Sequence, residues 1–234
     1  MKKIPRDLLI FFAFSALPIA GFMLANFPNA QFNISLLVVS LIIILWFQQY
    51  YKETHQLLVY DENLHSMSLV YVALGVIASL AVATYLTSAY VQQTVSSIYV
   101  PTSKMSLSIG NTILPQFWSD VLFTLTLVAP AEECSKLVSS LGFYVWLKDK
   151  IGEWLAKAIA IVVPIGMWAL LHTYQNPQYM GEYMMVFVGT AFIAGLVIEY
   201  IMMKTKSLLA AILCHFGYNL VILYITYYGF KLTV

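Results

Sequence analysis

The sequence predicts an all-α protein, a polytopic bundle of transmembrane helices, from its composition and from the spacing of its charged residues. Of its 234 residues, 61% are hydrophobic and 10% are charged, and the mean hydropathy is +0.80. Soluble domains carry about 25% charged residues. A net charge of +1 without a basic cluster among aromatic residues gives no indication of a nucleic-acid partner. The predicted partner of the surface is the lipid bilayer.

Uncharged stretches of membrane-crossing length predict about seven spans. Residues 8–51 carry no charge, and a polar break divides them into two stretches of about 20 residues, the length that crosses a bilayer. The connection at 92–117 is either a plain connector or an eighth element, such as a lid or a re-entrant segment. Because no internal repeat is evident, we expect one integral-membrane domain over 1–234 with a motif-bearing core at about 118–230. The five later spans are predicted at 67–91, 118–147, 154–172, 184–203 and 207–230.

Basic residues near the ends of these spans predict a multi-pass protein with a cytoplasmic N-terminus. The first apolar stretch is longer than that of a signal peptide, about 7 to 15 residues, which favours a membrane anchor. Lys and Arg are retained on the cytoplasmic side of membrane proteins. With the N-terminus inside, the outer side holds only Lys104 and Lys231. The inner side then holds Lys2, Lys3, Arg6, Lys52, Lys148, Lys150, Lys204 and Lys206.

Two adjacent carboxylates, Glu132 and Glu133, lie inside the predicted span 118–147 and are followed by Lys136. A charged residue at the centre of a membrane helix costs roughly 2.5 to 3.5 kcal/mol on insertion scales, so it usually faces a partner or a cavity. On a helix Lys136 is a neighbour of both acids, four residues after one and three after the other. It can neutralise one acid in a structural ion pair, and the other acid then needs a partner from another span.

Two histidines in later spans are the candidate partners. His172 ends the fifth predicted span, one turn after Trp168, and His215 lies in the last span, one turn before Asn219 on a common helix face. A single histidine in a membrane helix is commonly an interhelical hydrogen-bonding residue. Two histidines together with a Glu pair indicate proton-transfer chemistry within the bundle.

Three other side chains in the spans have simpler interpretations. Glu199 lies near the predicted inner face, where its charge can reach water or one of the nearby lysines. Cys134 and Cys214 are each adjacent to a candidate catalytic residue, but buried free cysteines usually behave as small apolar side chains. The sequence has no paired cysteine spacing of a structural zinc site.

The order of these motifs resembles the CPBP family, also called Abi, of type II CAAX prenyl endopeptidases and bacteriocin-processing or immunity proteins. Glu-Glu at 132–133, aromatic-x-x-x-His ending at His172 and His-x-x-x-Asn starting at His215 occur in that order on separate spans. The stretch GLVIEYIMMKTKSLLAAILCHFGYN, at 195–219, is especially similar. The resemblance covers about 128–220.

One departure from the family pattern concerns the first motif, which is usually Glu-Glu-x-x-x-Arg. Leu137 stands here at the position of the arginine, and Lys136 precedes it. A lysine at this spacing resembles the related PrsW group, whose members have an acid at the position of His172 and usually an aspartate at the position of Asn219. Trp168 replaces the commoner Phe of the second motif, as another aromatic wedge. The sequence is identified as a divergent CPBP member.

The resemblance implies an intramembrane endopeptidase that hydrolyses a membrane-associated peptide or protein, which in this family can be lipidated. Glu132 would take a proton from the attacking water, and His172 would hold that water or pass the proton on. His215 and Asn219 would donate hydrogen bonds to the oxyanion. Glu133 and Lys136 would be the orienting pair, although the two acids could exchange roles.

Two questions stay open at the level of sequence. Glu132, His172 and His215 are a permissible set of zinc ligands, but His-Glu-x-x-His is missing, so we favour a mechanism with no required cofactor over a zinc-dependent one. The alternatives to an enzyme are a catalytically silent scaffold or immunity-type protein of the same superfamily, which the displaced Lys136 favours, and a proton-coupled transporter. A transporter would be expected to show inverted repeats, and none is evident.

Overall fold

The computed structural model describes residues 29–50, 70–79, 81, 108–109, 112–113, 116–175 and 184–228, except for some side chains near the ends of these segments. It confirms the all-α class. The helices are α1 (Asn29–Tyr50), α2 (Val70–Ser79), α3 (Gln116–Phe123), α4 (Ala129–Ile151), α5 (Glu153–Gln175), α6 (Met184–Thr205) and α7 (Leu208–Tyr228). A π-helical turn (Thr124–Val128) joins α3 to α4.

Two of the described helices are long and apolar enough to cross a membrane, through their segments Glu153–Leu171 and Val188–Thr205. They correspond to the fifth and sixth spans of the sequence prediction. The apolar segments of α1, α2 and α7 are shorter. The count of seven spans stays a prediction, because the first predicted span and most of the third lie outside the described residues.

The few described residues of the connection at 92–117 include a short strand pair, which a purely helical fold would not contain. Two strands of two residues, β1 (Ser108–Ile109) and β2 (Thr112–Ile113), pair in antiparallel register. Gly-Asn, the dipeptide between them in the sequence, is typical of a two-residue hairpin loop, and three of the four strand residues are β-branched. The rest of this connection, where we considered a lid or an eighth element, lies outside the described residues.

The predicted span at 118–147 is part of one continuous helical rod from α3 through α4. In the π turn that interrupts it, the backbone N–H of Ala129 bonds the carbonyl of Thr124, five residues earlier. Pro130 follows within the first turn of α4, where its missing N–H is tolerated. A π turn adds one residue to the helix and often occurs at functional sites. Here it ends four residues before Glu132.

Two tight turns make hairpins of α4 with α5 and of α6 with α7. Gly152, with φ of 85°, ends α4, and glycine is favoured in that left-handed conformation. Lys206, with φ of 52°, ends α6, where the Ser207 N–H bonds the Met202 carbonyl at 3.2 Å. The hydroxyl of Ser207 then accepts a bond from the Ala210 N–H at 3.2 Å, as an N-cap of α7.

The core is built around α4, which packs against α1, α5 and α7. Its buried residues from Cys134 to Val145 join residues of α1, α6 and α7 in one hydrophobic cluster. Cys134 and Cys214 are both free and buried within this cluster. Leu137, at the position of the family's arginine, is also part of it. The cluster also contains the small residues Ala210 and Ala211 of α7, and small residues let helices approach closely within a membrane.

Two glycines of α6 test how closely this helix packs against α5, because only one of them lies in close contact with α5. A Cβ on Gly195 would lie 2.7 Å from Cγ2 of the buried Ile165, whereas a Cβ on Gly189 would meet nothing within 4 Å. Alanine has a higher helix propensity than glycine at both positions, by about 1 kcal/mol. Overpacking costs about 1 to 3 kcal/mol, so we expect Gly195→Ala to be less stable than Gly189→Ala by about that amount in detergent unfolding experiments. Equal stabilities would contradict this packing.

Candidate active site

Glu132 and Glu133 lie in the first two turns of α4, where both are buried, with 4% and 1% of their surfaces exposed. Consecutive residues on a helix point about 100° apart. The two carboxylates therefore have different surroundings. Which neighbours each one meets decides its chemistry.

Glu133 is held by two basic side chains through one of its oxygens. Its Oε1 lies 2.5 Å from Nζ of Lys136 and 2.5 Å from Nδ1 of His215 on α7. Its other oxygen, Oε2, is buried and has no hydrogen-bond partner among the described residues. Lys136 thus pairs with the acid three residues before it, although the helical spacing alone allowed either one.

Glu132 faces a different pair of side chains. Its Oε2 accepts a hydrogen bond from the indole Nε1 of Trp168 on α5, at 3.1 Å, and lies 3.5 Å from Nε2 of His215. His215 therefore lies between the two carboxylates, with one ring nitrogen towards each. A distance of 3.5 Å is at the outer limit of a hydrogen bond, which leaves Nε2 able to serve a further group at the site.

The charges in this network balance when His215 is protonated. Glu132 and Glu133 then carry two negative charges, and Lys136 and His215 carry two positive ones. Buried charges are costly unless they are paired and hydrogen-bonded. In that state both ring nitrogens of His215 donate, one to Glu133 and one towards Glu132.

A cavity of about 100 Å³ adjoins the network and is lined by Glu132, Lys136, Trp168, His215 and Asn219. A site needs about 10 to 15 Å³ of such volume to hold one water molecule. The other wall residues come largely from α6 and are small or apolar, such as Ala191, Ala194 and Gly195. The cavity therefore places a carboxylate, an imidazole and an amide around a space that admits water and a small polar group.

His172 cannot be placed in the same way. Its backbone lies in α5, one turn after Trp168, and residues four apart share a helix face. Its side chain lies outside the described part of the structure. The convergence of His172 with Glu132 and His215 stays a prediction.

Trp168 is a site residue that the sequence analysis underestimated. We expected only an aromatic wedge in place of the commoner phenylalanine, but its indole donates a hydrogen bond to Glu132. A buried Trp N–H usually finds a polar partner. That rule, with the position of Trp168 one turn before His172, was the available signal in the sequence.

Glu199 is also more deeply buried than expected. It has 3% of its surface exposed, rather than a charge that reaches water near the inner face. It lines a second cavity, which also contacts Lys206. Among charged groups, Lys136 acts on Glu199 most strongly, by attraction.

The described residues define a helical-bundle protein with a buried acid–imidazole site. Comparison with known proteins agrees with the motifs: residues 114–221, just under half of the chain, match the family model of type II CAAX prenyl endopeptidase Rce1-like proteins. This match supports the resemblance to the CPBP family that the motifs carry, and the matched family is one of proteases. Comparisons with curated proteins and with solved structures found no match.

Zinc ligation is compatible with part of this geometry. Two ligands of a tetrahedral zinc ion at about 2.0 to 2.1 Å are roughly 3.3 Å apart, close to the 3.5 Å between Glu132 Oε2 and His215 Nε2. Glu133 would then be the carboxylate that orients the histidine. The described residues contain no group of three His, Cys, Asp or Glu suited to a metal, and the third expected ligand, His172, has its side chain outside them.

The hydrogen bond from Trp168 to Glu132 predicts a kinetic effect. We expect Trp168→Phe to keep the aromatic packing and to lower peptidase kcat/KM by roughly 10-fold or more, because a hydrogen bond to a charged group contributes about 1.5 to 3 kcal/mol. Trp118→Phe, at an exposed tryptophan of α3, is the control. Full activity of Trp168→Phe would mean that Trp168 contributes only aromatic packing.

Proposed function

We propose that the protein is an intramembrane endopeptidase that hydrolyses a peptide bond of a membrane-associated protein or peptide. The observation that carries the proposal is the shared cavity of Glu132, His215 and Asn219 inside the bundle. A base, a cationic donor and a neutral donor at one cavity are the groups that acyl transfer to water requires. The family match supports the same reaction class.

The first step assigns Glu132 as the general base. It takes a proton from a water molecule in the cavity, and the water oxygen bonds the carbonyl carbon of the scissile peptide. The negative charge then moves to the carbonyl oxygen. Glu132 fits this role better than Glu133, because Glu132 lines the cavity whereas Glu133 is bonded to Lys136 and His215. His172 is proposed to hold the attacking water.

The second step uses His215 and Asn219 as donors to the oxyanion. With Nδ1 of His215 held by Glu133, its Nε2–H is directed away from Glu133, and Asn219 follows one turn later on α7. The net charge of the site does not change, since Glu132 becomes neutral as the oxyanion forms. The intermediate then collapses, the C–N bond breaks, and Glu132 returns its proton to the departing amine.

Lys136 bears on the alternative that the protein is a silent scaffold. Its displacement from the family's arginine position was the feature that favoured this alternative. In the structure Lys136 still makes a buried ion pair with Glu133, while Leu137 packs in the core. The orienting pair is therefore retained at the new spacing, which supports an active enzyme over a scaffold or an immunity-type protein.

The substrate class follows from the position of the site. A cavity inside a bundle with two helices long and apolar enough to cross a membrane is reached most readily by a substrate that is itself associated with the bilayer. The name of the matched family, a CAAX prenyl endopeptidase, supports a lipidated substrate. We also propose that the end of the bundle with Lys150 and Lys206 faces the cytoplasm, as the positive-inside rule indicates.

The experiment that tests the function compares membrane peptides by mass spectrometry in cells that express the wild type or Glu132→Gln at equal levels. A membrane protein that is shortened only in the presence of the wild type is the expected result. Identical peptide sets from the two cell lines would contradict the enzyme proposal and favour a scaffold.

Metal dependence is tested on the purified protein. We propose that no cofactor is required, so 1,10-phenanthroline should leave peptidase activity essentially unchanged. If the chelator abolishes activity and zinc restores it, Glu132, His172 and His215 are ligands and the water is activated by the metal instead. The response to the chelator therefore distinguishes the glutamate mechanism from the zinc mechanism in one protein preparation.

A further inference from the structure

A second cavity of about 230 Å³ lies between α4, α5 and α6, on the side of the bundle where the α4–α5 and α6–α7 turns meet. Its wall is mostly apolar. Lys157, near the start of α5, and Lys206, in the α6–α7 turn, both line it. Its remaining polar residues are Ser140, Tyr144 and Glu199. None of these belongs to the candidate active site.

The outer end of this cavity, near the helix turns, carries basic and aromatic side chains. Lys148 and Lys157 lie 5.8 and 6.0 Å from the ring of Tyr144, and Lys150 lies 4.5 Å from the ring of Trp146. Interleaved aromatic and basic side chains are typical of the lipid–water interface. Tyr144 and Lys157 line the cavity, so its outer end is within reach of water.

The inner end of the cavity lies next to the active site. Eight residues of helix separate Tyr144 from Lys136, which is roughly 12 Å of depth. Leu137 lines the second cavity, while its neighbour Lys136 lines the first. On α6, Glu199 lines the second cavity and its neighbour Ile198 lines the first. Lys136, which lines the first cavity, and Glu199, which lines the second, attract each other.

Beside the cavity, one buried hydroxyl and one backbone carbonyl lack a usual hydrogen-bond partner among the described residues. The hydroxyl of Ser140 is buried and has no partner among the described residues, and the residue is 8% exposed. Pro164 has no N–H, so the carbonyl of Ala160, another lining residue, loses its usual helical donor. Buried polar groups without protein partners usually bond water. The cavity volume is many times that needed for one water molecule.

We propose that the second cavity is a water-filled passage that supplies the hydrolytic water to the active site. This inference rests on the proposed function, because only a hydrolase consumes one water molecule for each bond it breaks. A site inside an apolar bundle needs a route by which this water can reach it. The passage leads from Tyr144 and Lys157 past Ser140 to Leu137 and Glu199, whose sequence neighbours line the first cavity.

The first test measures hydration of the cavity and does not depend on activity. In a full-length Cys134→Ala, Cys214→Ala background, Ser140→Cys places a thiol in the cavity, and Val138→Cys places one in the dry core of the same helix, where Val138 is fully buried. A small charged methanethiosulfonate reacts with the thiolate, which forms only where water reaches it. We expect Ser140→Cys to react at least about 10-fold faster than Val138→Cys. Equally slow reaction of both would overturn the passage.

The second test asks whether the passage serves the reaction. Ala160→Leu adds three carbons to the cavity wall, while Ala158→Leu makes the same change at a residue of α5 that does not line the cavity. We expect Ala160→Leu to slow the labelling of Ser140→Cys and to lower kcat with KM unchanged, and Ala158→Leu to do neither. Slower labelling with unchanged kcat would overturn the supply role. Failure of the proposed function itself is recognised separately, because the wild type would then be inactive whatever the labelling.

Discussion

Glu132→Gln is expected to lower kcat/KM by about 10²-fold to 10⁴-fold, the usual contribution of a general acid–base group, with no loss of thermal stability. Glutamine has nearly the shape of glutamate and can still accept the hydrogen bond from Trp168. It cannot take a proton from water. The measurement is kinetics on a membrane-associated peptide in detergent or liposomes, together with an unfolding curve in the same detergent.

Two further variants test the roles proposed for the other site residues. Asn219→Ala should cost about 3 to 4 kcal/mol of transition-state stabilisation if Asn219 is an oxyanion donor. His172→Ala should resemble Glu132→Gln if His172 holds the attacking water. Combined substitutions should cost much less than the sum of the single effects, because residues that act as one unit fail together.

Glu153→Gln is the control for loss of a glutamate charge, since Glu153 is exposed at the start of α5 and its partner is Lys157. It should retain full activity. Full activity in both Glu132→Gln and Glu133→Gln would dismiss the glutamate mechanism. If Glu133→Gln loses activity at wild-type stability while Glu132→Gln keeps it, Glu133 is the general base and Glu132 belongs to the orienting pair.

The motif helices were predictable because their sequences contain strong local signals. A charged Glu-Glu-x-x-Lys motif in an apolar stretch, and His-x-x-x-Asn spacing on one helix face, both imply side chains directed into the protein. The structure accordingly brings Glu132, Glu133 and His215 together. The turn at 204–208 was visible too, as a change from Lys-Thr-Lys to a Ser that caps α7.

Other features of the site depend on tertiary packing and could not be read from spacing. Helical geometry made Lys136 a neighbour of both acids, and only the structure shows that it pairs with Glu133. The π turn before α4 has no sequence rule that would have placed it at 124–128. The hydrogen bond from Trp168 depends on how α5 packs against α4, and the burial of Glu199 depends on α6 lying beside Lys136.

Lys136→Met is expected to destabilise the protein by about 3 to 5 kcal/mol, the cost of removing one partner of a buried ion pair. Glu133 would stay buried with only His215 to neutralise it, and its Oε2 already has no partner among the described residues. Chemical unfolding in detergent, followed by tryptophan fluorescence, measures the free energy of unfolding. Lys136→Arg should lose much less stability, because arginine keeps the positive charge.

The chain offers a matched control for this substitution. Lys157 and Glu153 also lie 2.5 Å apart, but the side chains of this pair are 49% and 67% exposed, against 3% and 1% for Lys136 and Glu133. Exposed ion pairs contribute little to stability, so Lys157→Met should leave the unfolding curve nearly unchanged. Glu133→Gln combined with Lys136→Met should recover part of the lost stability, because the uncompensated charge is then absent. If Lys136→Met unfolds like the wild type, Lys136 does not neutralise Glu133, and the orienting role proposed for the pair is wrong.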